Sequence, residues 1–275
     1  MLRYKTKMLV KKGFRRLGYN LVKLPSIGLE KAVPYIRRYC VGGVEFDFWI
    51  ADETGRTWYE VEGIEDTGES KALLELVEPG DKILEIGSHH GFYTTLLAKA
   101  VGAEGRILGL EAEAKNAMIA QAQITLNQLG GTGRVLHVAG SDQSGWLSMS
   151  TSDGSNAYAT REREQATMQV ESVRGDQMQE EYGPFNFLKL DVEGFEGQVL
   201  AGCKKILASR PKLALELHLG LMGRYGTTLE SIFEQIDIDA CEGYMIVDPD
   251  FDRILEFDRR NIPQTTGLHV FLTPR

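Results

Sequence analysis

Two short stretches of the chain place ionisable side chains two residues apart at the end of apolar runs. Asp191 and Glu193 follow Phe-Leu-Lys-Leu, and Glu216 and His218 lie within Ala-Leu-Glu-Leu-His-Leu. Residues two apart in an extended chain point to the same side. If the two runs are neighbouring strands, all four side chains converge at one edge of a sheet. Placing four ionisable groups together there costs free energy unless they are paired or take part in function.

This cluster can do chemistry in two ways. One member can act as a general base on a substrate hydroxyl, with His218 as the first choice for the base and Asp191 for positioning. Alternatively, two carboxylates and the histidine can hold a divalent metal ion that acidifies the hydroxyl, a reading that we do not favour. The structural alternative is a hydrogen-bonded cluster in which Glu196 caps the next helix. We expect Asp191, Glu193, Glu216 and His218 to be catalytic, without a metal.

A second chemical feature is the turn Gly-Ser-His-His-Gly over residues 87–91. Glycine lets the backbone turn tightly and lets another group approach closely, so we expect a bulky ligand against Gly87 and Gly91. Glu85 precedes the turn. Glu111 lies about twenty residues further on, at the end of the next apolar run, where a carboxylate can accept both hydroxyls of a ribose.

The glycine spacing favours one class of nucleoside ligand over another. The G-x-x-x-G spacing lacks the third glycine of the G-x-G-x-x-G loop that binds a pyrophosphate. A ribose without a pyrophosphate fits S-adenosylmethionine, and Glu85 would favour its positive charge. NAD is the competing ligand, and with it an NAD-dependent oxidoreductase. A non-catalytic module that binds a nucleoside or a membrane is the third alternative.

The elements that must position these residues alternate along the chain. Strands are predicted at 82–87, 106–112, 134–140, 185–192 and 212–219, and helices at 68–77, 91–101, 113–129, 196–208 and near 227–236, with an irregular polar stretch and loops over 145–184. This alternation indicates βαβ units and a parallel sheet with its ligand site beyond the carboxyl ends of the strands. Two final strands, in 243–250 and 267–274, predict a C-terminal antiparallel hairpin.

The N-terminal part differs from the rest, so we divide the chain into an extension, residues 1–65, and a main domain, residues 66–275. Alternating aromatic residues around Asp-Glu-Thr-Gly-Arg predict two strands and a turn over 44–61. Residues 1–25 contain eight Lys or Arg and no Asp or Glu. This basic segment suits a peripheral contact with an anionic membrane. A solvated helix packed on the edge of the domain is the favoured alternative.

Charge and cysteine content limit the classes of function. The chain has 275 residues and a net charge of −8, and beyond residue 25 it carries 23 basic against 39 acidic residues. A body this acidic repels phosphate backbones, so we expect no nucleic-acid partner. The three cysteines lack metal-ligand spacing, which favours reduced thiols and a cytoplasmic location. The sequence contains no uninterrupted apolar run of about 18 residues or more, so no membrane span is predicted.

Taken together, these motifs resemble the FkbM family of S-adenosylmethionine-dependent methyltransferases. The family pattern Lys-x-Asp-x-Glu-Gly-x-Glu is matched by residues 189–196, and the later Glu-x-His by Glu216 and His218; the resemblance covers about residues 70–220. It implies an α/β fold of the Rossmann-like class I methyltransferase type. Such a fold has a mostly parallel seven-stranded sheet with a C-terminal antiparallel hairpin, here preceded by a small extension of strands and helix.

The resemblance also implies a site for S-adenosylmethionine, with S-adenosylhomocysteine as the product. By position, Glu111 would hold the ribose and Asp142 would lie beside the adenine. In the loop, Ser88 and His89 replace the Ala-Asn that is usual in the family. The cofactor residues predicted in this way are Glu85, Gly87, Ser88, His89, Gly91, Tyr93, Glu111, Ala112, Ser141, Asp142 and Asp191.

The acceptor atom is predicted to be a hydroxyl oxygen. The strand that ends at Asp191 is not followed by an Asn/Asp-Pro-Pro-aromatic turn, with which many amino-group methylating enzymes hold a planar nitrogen. Members of the family mostly methylate sugars or natural products, which implies a small-molecule or glycan acceptor. The sequence identifies neither the individual acceptor nor the oligomeric state.

Overall fold

The structure is a computed structural model that describes residues 34–61, 63–64, 67–152, 156–160, 166–247 and 253–275. The basic segment 1–25 lies outside these residues, and its helix or membrane contact stays a prediction. Within the described residues, no helix is both long enough and apolar enough to cross a membrane. Cys40, Cys203 and Cys241 are free thiols.

The described residues form strands, α-helices and a few single turns of other helix types. The strands are β1 Tyr35–Val41, β2 Val44–Ile50, β3 Lys82–Ile86, β4 Arg106–Glu111, β5 Gly133–His137, β6 Ala139–Gly140, β7 Gly145–Ser152, β8 Asn156–Ala159, β9 Met168–Val173, β10 Phe187–Asp191, β11 Lys212–Leu217, β12 Cys241–Val247, β13 Ile254–Glu256 and β14 Leu268–Pro274. The α-helices are α1 Glu53–Gly55, α2 Gly68–Leu76, α3 Phe92–Ala100, α4 Ala114–Leu126, α5 Gly175–Tyr182, α6 Glu196–Ala201, α7 Lys204–Ala208, α8 Leu219–Met222 and α9 Leu229–Gln235. A π-helical turn, Arg56–Val61, continues α1, and single 3₁₀ turns lie at Gly223–Tyr225 and Ile238–Ala240.

The main sheet has the order β13-β12-β14-β11-β10-β3-β4-β5. Neighbouring strands from β11 to β5 run parallel, whereas β14 is antiparallel to both β11 and β12. The predicted α/β class and the antiparallel pairing of the last predicted strands are confirmed. The predicted count of seven strands is wrong, because the short strand β13 adds an eighth at the edge by pairing with β12.

Apolar residues on both faces of the central strands hold this sheet in place. In β3, Ile83 packs into the core under α2, α3 and α4, while its neighbour Leu84 packs into the core on the opposite face. Phe187 and Leu188 of β10 divide in the same way. Strands buried on both faces read as continuous apolar runs, which is why the sequence predicts them well.

The chain order creates a crevice at the carboxyl ends of β3 and β10. From β3 the chain continues outward through β4 and β5, and it then returns to the other side of β3 as β10 and β11. A sheet with this order reverses direction between β3 and β10, and ligands bind outside the carboxyl ends at such a point. The residues that follow β3, β4 and β10 therefore face one another.

The predicted strand pair over 44–61 is only half right. β2 is present, but its partner is β1, which precedes it across a turn at Gly42 and Gly43. Residues 53–61 are helical because the Asp52 side chain accepts a hydrogen bond from the backbone N–H of Gly55 at 2.8 Å and caps the turn. An Asp at this place is a strong helix start, and it prevails over the alternating aromatic pattern.

The hairpin β1–β2 packs directly on the main domain. Phe48 lies edge-on to Phe92 of α3 with ring centroids 5.4 Å apart. The Gln123 side chain of α4 accepts a hydrogen bond from the backbone N–H of Trp49 at 2.8 Å and donates one to its carbonyl at 2.9 Å. The amide of Gln123 thus pairs with β2 as the backbone of a neighbouring strand would. The domain boundary at residue 65 remains a prediction, and the described part of the extension shares a core with the domain.

The stretch predicted as irregular forms a second sheet. Its order is β6-β9-β7-β8, with β7 antiparallel to both β8 and β9. Its small core contains Ala139, Met149 and Val170. β6 lies within the strand predicted over 134–140, whereas β7, β8 and β9 were not predicted, because few of their residues are strongly apolar and short polar strands carry a weak pattern.

The helix predicted over 196–208 is divided into α6 and α7. The break falls at Gly202 and Cys203. A Cβ atom at Gly202 would lie 2.1 Å from the carbonyl oxygen of Ser141, so the second sheet approaches the helix backbone too closely for any side chain at this position. This contact fixes the residues after β6 against the main domain.

Candidate active site

The turn after β3 is shaped by the chain's own backbone. Gly87 has φ +91°, and a Cβ atom there would lie 1.7 Å from the carbonyl oxygen of Asp191. Gly91 has φ +80°, and a Cβ atom there would lie 2.8 Å from the Cα of Ala120 in α4. The expectation that a ligand explains both glycines is therefore corrected, since β10 and α4 occupy the space that a side chain would need. The close approach of β10 to Gly87 brings the loop, residues 87–91, against Asp191.

Glu85 is turned into the protein and paired within the chain. Its carboxylate lies 3.6 Å from the Lys189 ammonium, accepts a hydrogen bond from Ser88 at 3.2 Å and contacts the Thr94 hydroxyl. Burial by itself would lower the pKa of Lys189, but the charge of Glu85 raises it. Burial also raises the pKa of Glu85, which the charge of Lys189 opposes, and the contact anchors the loop to β10. The predicted attraction of Glu85 for the cofactor's positive charge would have to compete with Lys189.

Glu111 ends β4 and lies beside the loop. It is 8% exposed, and its two oxygens accept the backbone N–H groups of His89, at 2.7 Å, and Glu113, at 2.8 Å. Burial raises the pKa of Glu111 to about 7, in spite of these bonds. Each carboxylate oxygen has a further lone pair, so Glu111 can still accept the two hydroxyls of a ribose.

Several of the other predicted cofactor residues form contacts with groups of the chain itself. Tyr93 donates its hydroxyl to Glu69 at 2.9 Å, under the sheet. The carbonyl of Ala112 contacts His137 Nε2 at 3.2 Å. Ser141 donates to Asp142 Oδ1 at 3.1 Å, at the end of β6. The roles of these residues in cofactor binding stay predictions.

The four predicted catalytic residues do converge. Asp191 and Glu216 are paired neighbours in the register of β10 and β11. His218 Nε2 lies 3.5 Å from Glu193 and 3.5 Å from Glu216. One ligand atom from each of Asp191, Glu193 and His218 lies within 4.8 Å of the others. We call Asp191, Glu193, Glu216 and His218 the rim cluster.

Glu193 reaches the rim cluster through an unusual backbone conformation. Its φ is +52°, and that of the following Gly194 is +97°. A left-handed conformation is uncommon for a residue other than glycine, and such residues concentrate at functional sites. Burial raises the pKa of Glu193, which His218 opposes.

His218 is held as a cation. Its Nδ1 lies 2.8 Å from Glu196 Oε1. Burial by itself would lower the pKa of His218, but the bond to Glu196 and the charges of Asp191, Glu216 and Glu193 raise it to about 10. A protonated imidazole cannot accept a proton, so this geometry does not agree with His218 as the general base.

Glu196 does not cap its helix through a side-chain hydrogen bond, although the structural alternative predicted such a cap. It is the first residue of α6, and its carboxylate accepts the backbone N–H of Gly194 at 2.9 Å, in the turn before the helix. The same oxygen binds His218. Sequence reasoning missed this second bond, and it also missed His269, whose Nε2 lies 3.6 Å from Glu216. Only the pairing of β11 with β14 brings His269 to the site.

The ligand types at the rim would also suit a divalent cation. Besides Asp191, Glu193 and His218, a second group, Glu69, Glu216 and His269, has ligand atoms within 4.8 Å of one another. In the first group both ring nitrogens of His218 face carboxylates, which favour a proton on each nitrogen. A histidine must be neutral to bind a metal, so a cation would first have to displace that proton.

The fold and the site together define a class of protein. An α/β sheet with β14 inserted antiparallel, a glycine turn after its central strand and a carboxylate at the end of the next strand form a nucleoside site without a pyrophosphate loop. Residues 85–261 match the family described as the methyltransferase FkbM domain. The chain belongs to this family, so it is a methyltransferase with the Rossmann-like class I fold and S-adenosylmethionine as its cofactor, as the sequence predicts.

The chain is also similar to solved structures of methyltransferases. The chain is similar to an O-methyltransferase from Bacillus cereus in complex with S-adenosylhomocysteine, at 18% identity over 76% of this chain and 80% of that one, with a TM-score of 0.41. It is also similar to fibrillarin from Aeropyrum pernix with bound S-adenosylmethionine, at 12% identity over 90% and 85%, with a TM-score of 0.46. No curated protein is similar enough in sequence to count as a relative.

Proposed function

We propose that this methyltransferase transfers the methyl group of S-adenosylmethionine to a hydroxyl oxygen of a sugar or a small natural product. The observation that carries the proposal is the contact between the loop and the rim cluster. The carbonyl of Asp191 packs against Gly87, so a nucleoside held by the loop and Glu111 lies beside the carboxylates. A hydroxyl bound at the rim cluster would thus be next to the methyl donor.

The cofactor, when bound, supplies a methyl group that is activated by a sulfonium charge. The residues of the chain then mainly hold the acceptor in line with that group, which is where most of the rate enhancement of such a transfer arises. Asp191 and Glu216 have carboxylates that can accept hydrogen bonds from acceptor hydroxyls. Cationic His218 fixes Glu193 and Glu216 in place through its Nε2–H.

We assign proton removal to Glu193 instead of His218. The raised pKa of Glu193 brings this carboxylate closer to the working pH, which favours a general base. Its left-handed backbone, in the turn after β10, places its carboxylate 3.5 Å from His218 Nε2 within the rim cluster. The proton leaves the acceptor hydroxyl for Glu193 as the oxygen forms its bond to the methyl carbon.

The choice of oxygen over nitrogen is supported by the turn that follows β10. Its sequence is Asp191-Val-Glu193-Gly194, without the proline-rich turn that grips a planar nitrogen. Carboxylates at this place accept hydrogen bonds from a hydroxyl. They would hold an amine in its protonated form, which has no lone pair for methyl transfer.

The experiment is a mass-shift assay with S-adenosylmethionine on a panel of sugars, glycans and hydroxylated metabolites, each beside its amino analogue. We expect a gain of one methyl group on hydroxyl compounds. Glu193→Gln should lower kcat by about 100-fold or more while S-adenosylhomocysteine still binds. The matched control is Glu180→Gln, an exposed carboxylate paired with Lys205, which should keep full activity. Methylation confined to amino analogues would overturn the choice of oxygen.

We also propose that the reaction needs no divalent metal, since both ring nitrogens of His218 already face carboxylates of the chain, Glu196 at 2.8 Å and Glu193 and Glu216 at 3.5 Å. Treatment with EDTA followed by gel filtration should leave the rate unchanged. Added Mg²⁺ or Mn²⁺ should then change the rate by less than about twofold. A rate that falls with EDTA and returns with one of these ions would instead assign the rim cluster as a metal site.

A further inference from the structure

The loop after β3 is covered by the π-helical turn Arg56–Val61, and the contact is made by Tyr59. This side chain is 6% exposed, and its hydroxyl forms a hydrogen bond with Nδ1 of His89. Burial holds the pKa of Tyr59 well above its ordinary range, so the hydroxyl is neutral. A side chain outside the family match of residues 85–261 thus touches the cofactor loop.

His89 connects this contact to the ribose carboxylate. Its backbone N–H donates to Glu111 at 2.7 Å, and its ring stacks on that of His90, with centroids 4.3 Å apart and planes 4° from parallel. The φ of His89 is +45°. This conformation is unfavourable for histidine, so the loop needs outside contacts to keep the N–H aimed at Glu111.

Tyr59 is itself held firmly. Its ring stacks on Phe92, the first residue of α3, with centroids 5.4 Å apart and planes 8° from parallel, and it lies edge-on to Phe48 of β2. The Tyr39 hydroxyl donates to the backbone carbonyl of Tyr59 at 2.9 Å. The hydroxyl of Tyr59 is therefore presented to His89 by a rigid aromatic cluster.

We propose that Tyr59 and His89 are positioning residues for S-adenosylmethionine. Through their hydrogen bond, the π-helical turn Arg56–Val61 fixes the left-handed turn at His89, and His89 fixes the carboxylate of Glu111 for the ribose. The inference rests on the proposed placement of the cofactor at this loop. Neither side chain touches the reacting atoms, so the effect belongs to cofactor affinity and not to the methyl transfer.

The first test is Tyr59→Phe in the full chain, with calorimetric titration of S-adenosylhomocysteine. Removal of the hydroxyl keeps the aromatic stacking and breaks the bond to His89. We expect about five- to tenfold weaker binding, the effect of one buried hydrogen bond. The KM for S-adenosylmethionine should rise by the same factor, with kcat at saturating cofactor unchanged.

The second variant is His89→Asn. Asparagine tolerates the left-handed conformation, so the backbone is kept while the bond to Tyr59 is lost. It should weaken binding as much as Tyr59→Phe does, and the double variant should be less than about twofold worse than either single one, since both remove the same bond. Additive losses in the double variant would overturn the coupling.

The matched control is Tyr225→Phe, which also removes a buried tyrosine hydroxyl, one that donates to the carbonyl of Ala159 at 2.7 Å and has no bond to the loop or to Tyr59. It should lower the Tm about as much as Tyr59→Phe and leave cofactor affinity unchanged. Equal weakening by Tyr225→Phe would show that loss of any buried tyrosine hydroxyl loosens the protein, and it would overturn the inference. Unchanged binding in Tyr59→Phe would overturn the positioning role of Tyr59 and leave the proposed cofactor site standing. If the natural protein does not bind S-adenosylhomocysteine, the proposed cofactor site is overturned as well.

Discussion

Glu111 is the residue whose charge state most directly connects structure to cofactor binding. It is buried, it orders the loop through the N–H of His89, and its pKa is raised to about 7. A carboxylate accepts hydrogen bonds from both ribose hydroxyls, whereas a protonated carboxyl loses its charge and one acceptor site.

Cofactor affinity should therefore depend on pH in a defined direction. Because the pKa of Glu111 is about 7, the carboxylate form is lost as the pH falls from 8 to 6, and S-adenosylhomocysteine should bind more weakly at the lower pH. Calorimetric titration at pH 6, 7 and 8 measures this. Glu111→Gln should bind about tenfold more weakly at pH 8 and show a flat profile. A variant that keeps the pH dependence would assign it to another group.

The charge of His218 gives a second prediction at the level of residues. Glu196→Gln keeps the shape of the side chain but removes the carboxylate that contacts His218 Nδ1 at 2.8 Å. The pKa of His218 should then fall by about 1–3 from its value of about 10. An NMR titration of the histidine ring protons follows this directly, with Glu180→Gln as the control. An unchanged pKa would mean that the remaining carboxylates of the rim cluster suffice.

Among the elements, β3 and β10 depend on each other at the turn. Gly87 lies where the end of one strand meets the end of the other, and its missing side chain lets the carbonyl of Asp191 approach. The same contact brings the cofactor loop to the rim cluster. In the proposed function, the packing of these two strand ends would set the distance between the methyl donor and the acceptor.

Gly87→Ala should separate these strand ends and destabilise the fold. The added Cβ atom would lie 1.7 Å from backbone and the residue would keep φ +91°, so we expect a loss of about 3 kcal/mol or more in the free energy of unfolding. Gly80→Ala is the matched control. Gly80 has a similar φ of +90° with nothing within 4 Å, so it should lose only about 1 kcal/mol. Equal losses in urea unfolding would contradict the role of the contact.

For the whole molecule, the charge distribution is the feature with the widest consequence. Residues 1–25 are basic and lie outside the described residues, whereas the rest of the chain is acidic. An anionic surface would attract the basic segment and repel the acidic remainder of the chain, so only the segment would contact it. A peripheral membrane contact therefore remains a proposal for this segment.

Flotation with vesicles tests that proposal. The full chain should float with vesicles that contain phosphatidylserine and stay at the bottom with phosphatidylcholine alone, and about 0.5 M salt should release it, because screening weakens attraction between exposed charges. A chain that starts at residue 26 should not float. Equal flotation of both chains would reject the basic segment as the contact.

Some secondary-structure elements could be predicted from the sequence and others could not. β3, β10 and α4 are long apolar or amphipathic runs, and they lie where the sequence places them. β1, α1 and the second sheet were missed or misplaced because their signals are short. At Asp52, a single capping side chain decided between strand and helix.

The sequence by itself determined the α/β class and the family, because strand periodicity and motif spacing are local properties of the chain. It predicted the convergence of Asp191, Glu193, Glu216 and His218 only on condition that their strands are neighbours, and the pairing of β10 with β11 meets that condition. Only the tertiary structure decided the charge of His218, the pairing of Glu85 with Lys189 and the bond from Tyr59 to His89. Each of these depends on which distant side chains are buried together, and burial sets both the pKa of a group and the strength of its contacts. That information does not exist in any single segment.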